Sequence, residues 1–323
     1  MFLSIIFVTQ NHPVKILRTL SSIKAQSDSD YEVILVDDSG FQPKSTALEL
    51  LSDNFYNFDN KIQVISSLRG QGFSYAVNAA INIANGKYFL VLDEGQILKE
   101  NAVATLKTKI KANHKELVPI DMLEFKLYYS TIKGESYLRN DLNKLLTPKI
   151  QKEVFANVHT LINTKVFRTQ FIQDHKIEFI NYVRNDSLFI YKALANSDGF
   201  LAINDVLAEY ELGTINYSVF DLLKQWVHIF NFYREIGLYK EYHEELEYAF
   251  IRFCLISFLR MVRLQNNKKL AIKGVVSAQN KIERRLRHFK DNKYVQNIND
   301  EKFAPIVQDI EGYLKNWKLT YAK

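Results

Sequence analysis

An α/β fold, with a mostly parallel sheet, helices on both faces and a helical carboxyl-terminal region, is predicted by three observations. First, over the initial hundred residues, short runs rich in Val, Ile and Leu alternate with stretches of helical period. Second, the runs end in polar clusters: residues 3–8 lead into Thr9-Gln10-Asn11, 32–36 into Asp37-Asp38, and Leu90-Val91-Leu92 into Asp93-Glu94. Parallel strands bring such ends to one edge, where open α/β sheets gather ligands. Third, after about residue 215 the pattern changes to aromatic-rich and then strongly basic helical stretches. The expected organisation is a domain over 1–215 and a helical, basic region over 216–323.

Taken in order, residues 3–8 form the first strand. Pro13 then opens a helix to about Gln26, because its fixed φ suits a first helical turn; Ile16, Leu17, Leu20 and Ile23 share its inner face. A second strand covers 32–36, a helix 45–51, and a third strand 62–65. The turn Leu68-Arg69-Gly70-Gln71-Gly72 opens a helix over 73–85, with Gly86 expected to cap it. A fourth strand, 87–92, reaches Asp93. A helix is expected over 99–114, an alternating strand over 122–129 and a helix over 187–196. Further helices are expected over 220–239, 242–264 and 270–289.

A chain of 323 residues is long enough for one large domain or two ordinary ones. At 47% apolar and 13% aromatic it can fill a core, which excludes a disordered chain. The single cysteine, Cys254, excludes an internal disulfide framework and a cysteine-rich metal site; its neighbours Phe253, Leu255 and Ile256 mark a buried, inert thiol. No basic residue precedes the apolar amino terminus, which reads as a strand rather than a signal segment. No uncharged apolar run reaches the ~18 residues of a membrane span. A soluble or peripheral protein is therefore expected. The net charge of +6 is uneven: residues 252–293 hold twelve Lys or Arg against Glu283 and Asp291, net +10, leaving the remainder at −4.

Two acidic pairs on one sheet edge, Asp37-Asp38 and Asp93-Glu94, have two readings. They cap the helices that follow, or they form a nucleotide and metal site. Gly70-Gln71-Gly72-Phe73-Ser74-Tyr75 is a partial dinucleotide fingerprint, but Tyr75 fills the third small position and the motif follows the third strand rather than the first. A nicotinamide enzyme is disfavoured on both counts.

The stretch from Leu3 to Asn11, then Tyr31 to Ser39, then Arg69-Gly70-Gln71-Gly72 with Ala76, Asn78 and Ala84-Asn85-Gly86-Lys87-Tyr88, resembles the opening of the family 2 inverting glycosyltransferases of GT-A fold. The resemblance spans about residues 3–212. It implies a GT-A-like, Rossmann-type sheet and a UDP-sugar donor. Thr9, Asn11 and Asp37 or Asp38 would hold the uracil and ribose. Arg69 and its glycines would lie near the base and diphosphate, and Asp93 at the first position of the family's D-x-D motif. A diphosphate leaving group calls for a divalent cation, Mg or Mn, with carboxylate ligands. The sequence departs from the motif at Gly95, where the last acid belongs. Either Glu94 supplies the second metal ligand, or Asp93 holds the metal through one oxygen plus water.

Downstream, Asn185-Asp186-Ser187-Leu188-Phe189 resembles the family's E-D-x-x-F motif, with Asn185 in place of the glutamate. Asp186 inherits the role of general base by position; the competing reading is an N-cap. His159 is either a structural group or a contact to the diphosphate. The basic carboxyl-terminal stripe, including Arg252, Arg260 and Arg263, reads as a solvated face or as attachment to an anionic membrane. No nucleic-acid module accompanies it. The expected activity is transfer of a hexose to a lipid acceptor such as diacylglycerol, forming a glycolipid, by a cytoplasmic enzyme peripheral on the cell membrane. The alternatives are a polysaccharide, teichoic acid or glycoprotein acceptor, and a catalytically inactive sugar-nucleotide-binding protein.

Overall fold

The structure, a computed structural model, describes residues 1–9, 12–38, 46–55, 58, 61–66, 71–114, 118–180, 186–211, 219–265 and 267–322. The chain divides into two compact units, Met1–Gln151 with His159–Leu212, and Lys152–Val158 with Gly213–Lys323.

The first unit opens with β1 (Leu3–Thr9), α1 (Pro13–Lys24), β2 (Tyr31–Asp37), α2 (Thr46–Asn54), β3 (Ile62–Ser66), α3 (Phe73–Ile83) and β4 (Tyr88–Leu92). Every residue of β1, β2 and β4 is buried, as strands covered by helices on both faces should be. Next come β5 (Ile97–Leu98), α4 (Ala102–Ala112), β6 (Met122–Tyr129), β7 (Gly134–Glu135) and β8 (Leu145–Leu146). The short helix α5 (Glu153–Asn157) belongs to the second unit. A 3-10 turn (Ile162–Thr164), β9 (Lys165–Arg168), α6 (Thr169–Asp174), α7 (Asp186–Asn196) and β10 (Phe200–Tyr210) complete the sheet unit.

The sheet order is β3-β2-β1-β4-β9-β6-β10-β5, with β7 on β6 and β8 on β10. The β1–β2, β2–β3 and β1–β4 pairs are parallel, as the alternation predicts, and β6–β10 is parallel as well. Pairing sets Thr9 opposite Asp37 and Phe7 opposite Leu92, so Thr9, Asp37, Asp38 and Asp93 emerge at one edge. The addition is β9, which runs antiparallel between β4 and β6. Its four residues begin and end in a cation, so hydropathy alone does not mark it. The long strand β10 was likewise not predicted.

Gly86 is not the helix cap that the sequence suggested. The chain is already extended at Ala84, and an added Cβ at Gly86 would lie 2.4 Å from the backbone nitrogen of Ser4. The glycine is there because this loop presses on β1. The same loop is clasped by Glu32, only 3% exposed, whose carboxylate accepts from the Ser4 hydroxyl at 2.5 Å, the Asn85 N–H at 2.7 Å and the Gly86 N–H at 3.2 Å. Burial opposes ionisation, but these donors together hold the Glu32 carboxyl below its ordinary value. A depressed folded pKa stabilises above the unfolded value of about 4.3 and is lost as pH falls through the folded one. We expect Glu32→Gln to cost roughly 2 kcal/mol at pH 7, and less below pH ~4. Urea denaturation at both pH values checks this; an equal loss at both would refute it.

In the second unit α5 is followed by α8 (Val219–Glu235), α9 (Tyr239–Arg252), a π-helical segment (Phe253–Phe258), α10 (Leu259–Leu264), α11 (Lys268–Phe289), α12 (Lys293–Gln296), α13 (Ala304–Gln308) and α14 (Ile310–Ala322). Trp226 is fully buried, within 5.4–6.1 Å of the rings of Phe230, Phe250 and Phe253. The single helix expected over 242–264 starts earlier, at Tyr239, and carries the π segment in its middle. Cys254 is buried there, and burial pushes its thiol pKa up, as an inert thiol requires. The basic stripe needs correction. Arg252 is buried against Asp300 at 2.5 Å, and Arg285 pairs with Glu247 at 2.6 Å while its guanidinium lies 4.0 Å from the centre of the Phe230 ring. Both cations are spent inside the unit. Among the described residues no helix is long and apolar enough to cross a membrane.

Candidate active site

The acids at the strand ends divide by use. Both oxygens of Asp38 accept backbone N–H groups at the start of α3, from Gln71 at 2.8 Å and Gly72 at 3.0 Å. Glu94 accepts from the Thr9 hydroxyl at 2.5 Å and the His12 N–H at 3.0 Å through one oxygen, and lies 2.8 Å from His12 Nδ1 through the other. Pro13 starts α1 immediately afterwards. Asp38 and Glu94 therefore hold the chain just before α3 and α1, neither of which is the next helix after them in sequence. Asp37 is buried beside Thr9. Asn11 and Arg69 lie outside the described residues, as does Asn185.

Asp93 sits in a tight turn. Its carbonyl accepts from the Gln96 N–H at 3.0 Å and its N–H donates to Gln96 Oε1 at 3.2 Å. Gly95 has φ +92° within this turn. A side chain there would be strained, which explains why the D-x-D pattern lacks its last acid. One Asp93 oxygen accepts from the Asn163 amide at 2.8 Å, while Gln96 Nε2 donates to the Asn163 carbonyl at 3.1 Å.

Asp186 is the first residue of α7 and is 5% exposed. Aromatic packing helps to aim it. Asn78 of α3 clamps the Phe179 backbone through bonds of 2.8 and 3.0 Å, and the Phe179 ring stacks on Phe189 of α7 at 4.3 Å. The Asp186 carboxylate reaches the Ile162 N–H at 3.4 Å. Ile162 and Asn163 are neighbours in the 3-10 turn before β9, so one turn touches both Asp93 and Asp186. Two carboxylates separated in sequence by 93 positions thus flank a common element at the sheet edge.

The family model for glycosyl transferase family 2 matches residues 4–171, just over half of the chain. The chain belongs to that family. This glycosyltransferase is 23% identical over 282 residues to an uncharacterised glycosyltransferase of Methanocaldococcus jannaschii, covering 83% of this chain and 95% of the relative. It is 23% identical over 225 residues to the glycosyltransferase GlyG of Streptococcus pneumoniae, covering 60% and 72%. It is 22% identical over 206 residues to the poly(ribitol-phosphate) beta-N-acetylglucosaminyltransferase TarS of Staphylococcus aureus, covering 62% of this chain and only 34% of TarS. Among solved structures, residues 1–349 of S. aureus TarS in complex with UDP-GlcNAc superpose with a TM-score of 0.67 at 17% identity, covering 99% of this chain and 89% of that one. These structures place the glycosyltransferase in the GT-A-like fold class.

The residues that could hold a divalent cation are fewer than the motif implied. Glu94, named above as a second ligand, has both oxygens engaged by Thr9 and His12, and Gly95 offers none. Among the described residues no group of three or more His, Cys, Asp or Glu converges on one point. Asp93 fits a cation that takes its remaining ligands from a bound diphosphate and water. Gln96, Asn163, Glu124 and Lys165 complete the surroundings, and their roles were not read from sequence. The available signal was the charge of Glu124 and Lys165 inside apolar strand patterns.

Proposed function

We propose that this glycosyltransferase is an inverting enzyme that uses a UDP-sugar, with Asp93 on the donor side and Asp186 as the base. The observation that carries the reading is the single turn, Ile162–Thr164, that touches both carboxylates at the ligand-binding edge of a family 2 fold. Asp186 would take the proton of the acceptor hydroxyl as its oxygen bonds to the anomeric carbon, and UDP would leave from the opposite face. Thr9, Asp37 and Asp38 line the strand ends where the uridine would sit. A cation at Asp93, when bound, would offset the charge growing on the diphosphate.

For the acceptor, we propose a phosphate-bearing glycan of the teichoic acid kind ahead of a lipid. The likeness to TarS, a poly(ribitol-phosphate) beta-N-acetylglucosaminyltransferase with structures bound to UDP-GlcNAc and to UDP, supports this choice. A lipid acceptor on an anionic membrane is the second reading. It is favoured by α11, whose exposed residues include Lys268, Lys269, Lys273, Arg284 and Arg287, with Ile272 and Val276 exposed among them. A UDP-release screen across UDP-hexoses and UDP-N-acetylhexosamines, with poly(ribitol phosphate) and diacylglycerol as acceptors, tests donor and acceptor together. The membrane reading carries its own expectation. Binding to phosphatidylglycerol vesicles should fall as salt rises and weaken markedly in a Lys269→Glu/Lys273→Glu/Arg284→Glu variant. Equal sedimentation with neutral and anionic vesicles would sink it.

A further inference from the structure

Behind the turn that joins Asp93 and Asp186 lies a buried ion pair. Lys165 of β9 and Glu124 of β6 are opposite one another in the ladder, neither has any exposed side-chain surface, and they meet at 3.0 Å. The Lys165 amine also donates to the Leu161 carbonyl at 3.1 Å and to the Thr164 hydroxyl at 3.0 Å. The same Glu124 oxygen accepts the His159 N–H at 2.8 Å. The segment 159–164 is thereby wound around one ammonium and one carboxylate. Complete burial pulls the Lys165 pKa down, against the charges of Glu124 and Asp186, which favour the ammonium.

Stability does not explain such a pair, because replacing a buried ion pair by groups of similar volume is often neutral or favourable. Its contacts do suggest a use. On the inner side they fix Leu161 and Thr164, and on the outer side the intervening Ile162 and Asn163 reach Asp186 and Asp93. We propose that Lys165 and Glu124 are positioning residues, which hold the 161–164 turn so that Asp186 and Asp93 keep the spacing that transfer requires. This rests on the roles given to those two carboxylates under the proposed function.

The deciding variant is Lys165→Met/Glu124→Gln. It removes both charges, keeps the volume, and leaves an oxygen for the His159 N–H. We expect a folded protein that binds UDP within threefold of the parent and transfers sugar about 10²-fold more slowly, the usual effect of a small misplacement of reacting groups. In an Asp186→Asn background the same double change should cost clearly less than in the parent, because part of its effect acts through that carboxylate. A kcat within threefold of the parent, or a full additional loss in the Asp186→Asn background, would overturn the proposal. If the double variant does not fold, Asn163→Ala decides. It removes only the link to Asp93, and the Kd for UDP-sugar should rise about tenfold in the parent and not at all in an Asp93→Ala background. An unchanged Kd in the parent would equally overturn the proposal. A parent enzyme that neither binds nor turns over any UDP-sugar would overturn the functional reading, and this inference with it. An active parent with unaffected variants would overturn the positioning role alone.

Discussion

Asp186→Asn should leave a folded enzyme that binds UDP normally and transfers sugar about 10²–10⁴-fold more slowly, the range typical of losing a positioned base. The side chain keeps its size and one oxygen that can accept the Ile162 N–H, so α7 has no reason to unwind. In the proposed mechanism the base acts on the acceptor, whereas uridine would bind at the strand ends around Thr9 and Asp37. Rate and nucleotide affinity should therefore separate. Single-turnover transfer with saturating UDP-sugar, alongside calorimetric titration with UDP, measures the two. A variant with normal kcat and an intact melting temperature would place the base on another residue.

Asp93→Ala should remove detectable turnover and also weaken UDP-sugar binding in the presence of Mn²⁺ or Mg²⁺. Asp93 is the strand-end acid whose carboxylate is held by a side-chain amide, Asn163, whereas Asp38 and Glu94 accept backbone N–H groups at helix starts. A cation at this position would depend on it, since Glu94 is tied to Thr9 and His12. Titrations with EDTA and with Mn²⁺ should show a metal-dependent gain in UDP-sugar affinity for the parent and none for the variant. Unchanged affinity and rate in Asp93→Ala would rule out this assignment. The contrasting variant is Glu94→Gln, which should lose affinity less than Asp93→Ala, because its main contacts are to protein.

The two variants differ in what they probe. Asp186 is reached through packing, by way of Asn78, Phe179 and Phe189, whereas Asp93 is held by hydrogen bonds within a four-residue turn and to Asn163. A loss at Asp93 should therefore stay local, and the melting temperature should change by only a few degrees.

Much of the first unit was legible from the chain itself. Three of the first four strands are apolar runs that lead into polar residues, and their alternation with helices predicts a parallel sheet with a ligand edge at Thr9, Asp37 and Asp93; the β3-β2-β1-β4 order is a finding of the structure. The order of short motifs also carried the family and the candidate base. Tertiary structure alone decided the rest. Strand β9 enters antiparallel and is too short and too charged for hydropathy to reveal. Gly86 looks like a cap in sequence but answers to the close approach of β1. The partners of Asp38 and Glu94 in the folded chain are Gln71, Gly72, Thr9 and His12, tens of positions away, which the sequence could not name. Arg252 and Arg285 add to a basic stripe on paper and are consumed by Asp300 and Glu247 in space. The physical reason is common to all of these. Periodicity records which face of an element is buried, whereas the partner of a polar group is set by contacts between residues tens of positions apart, and those exist only once the chain has folded.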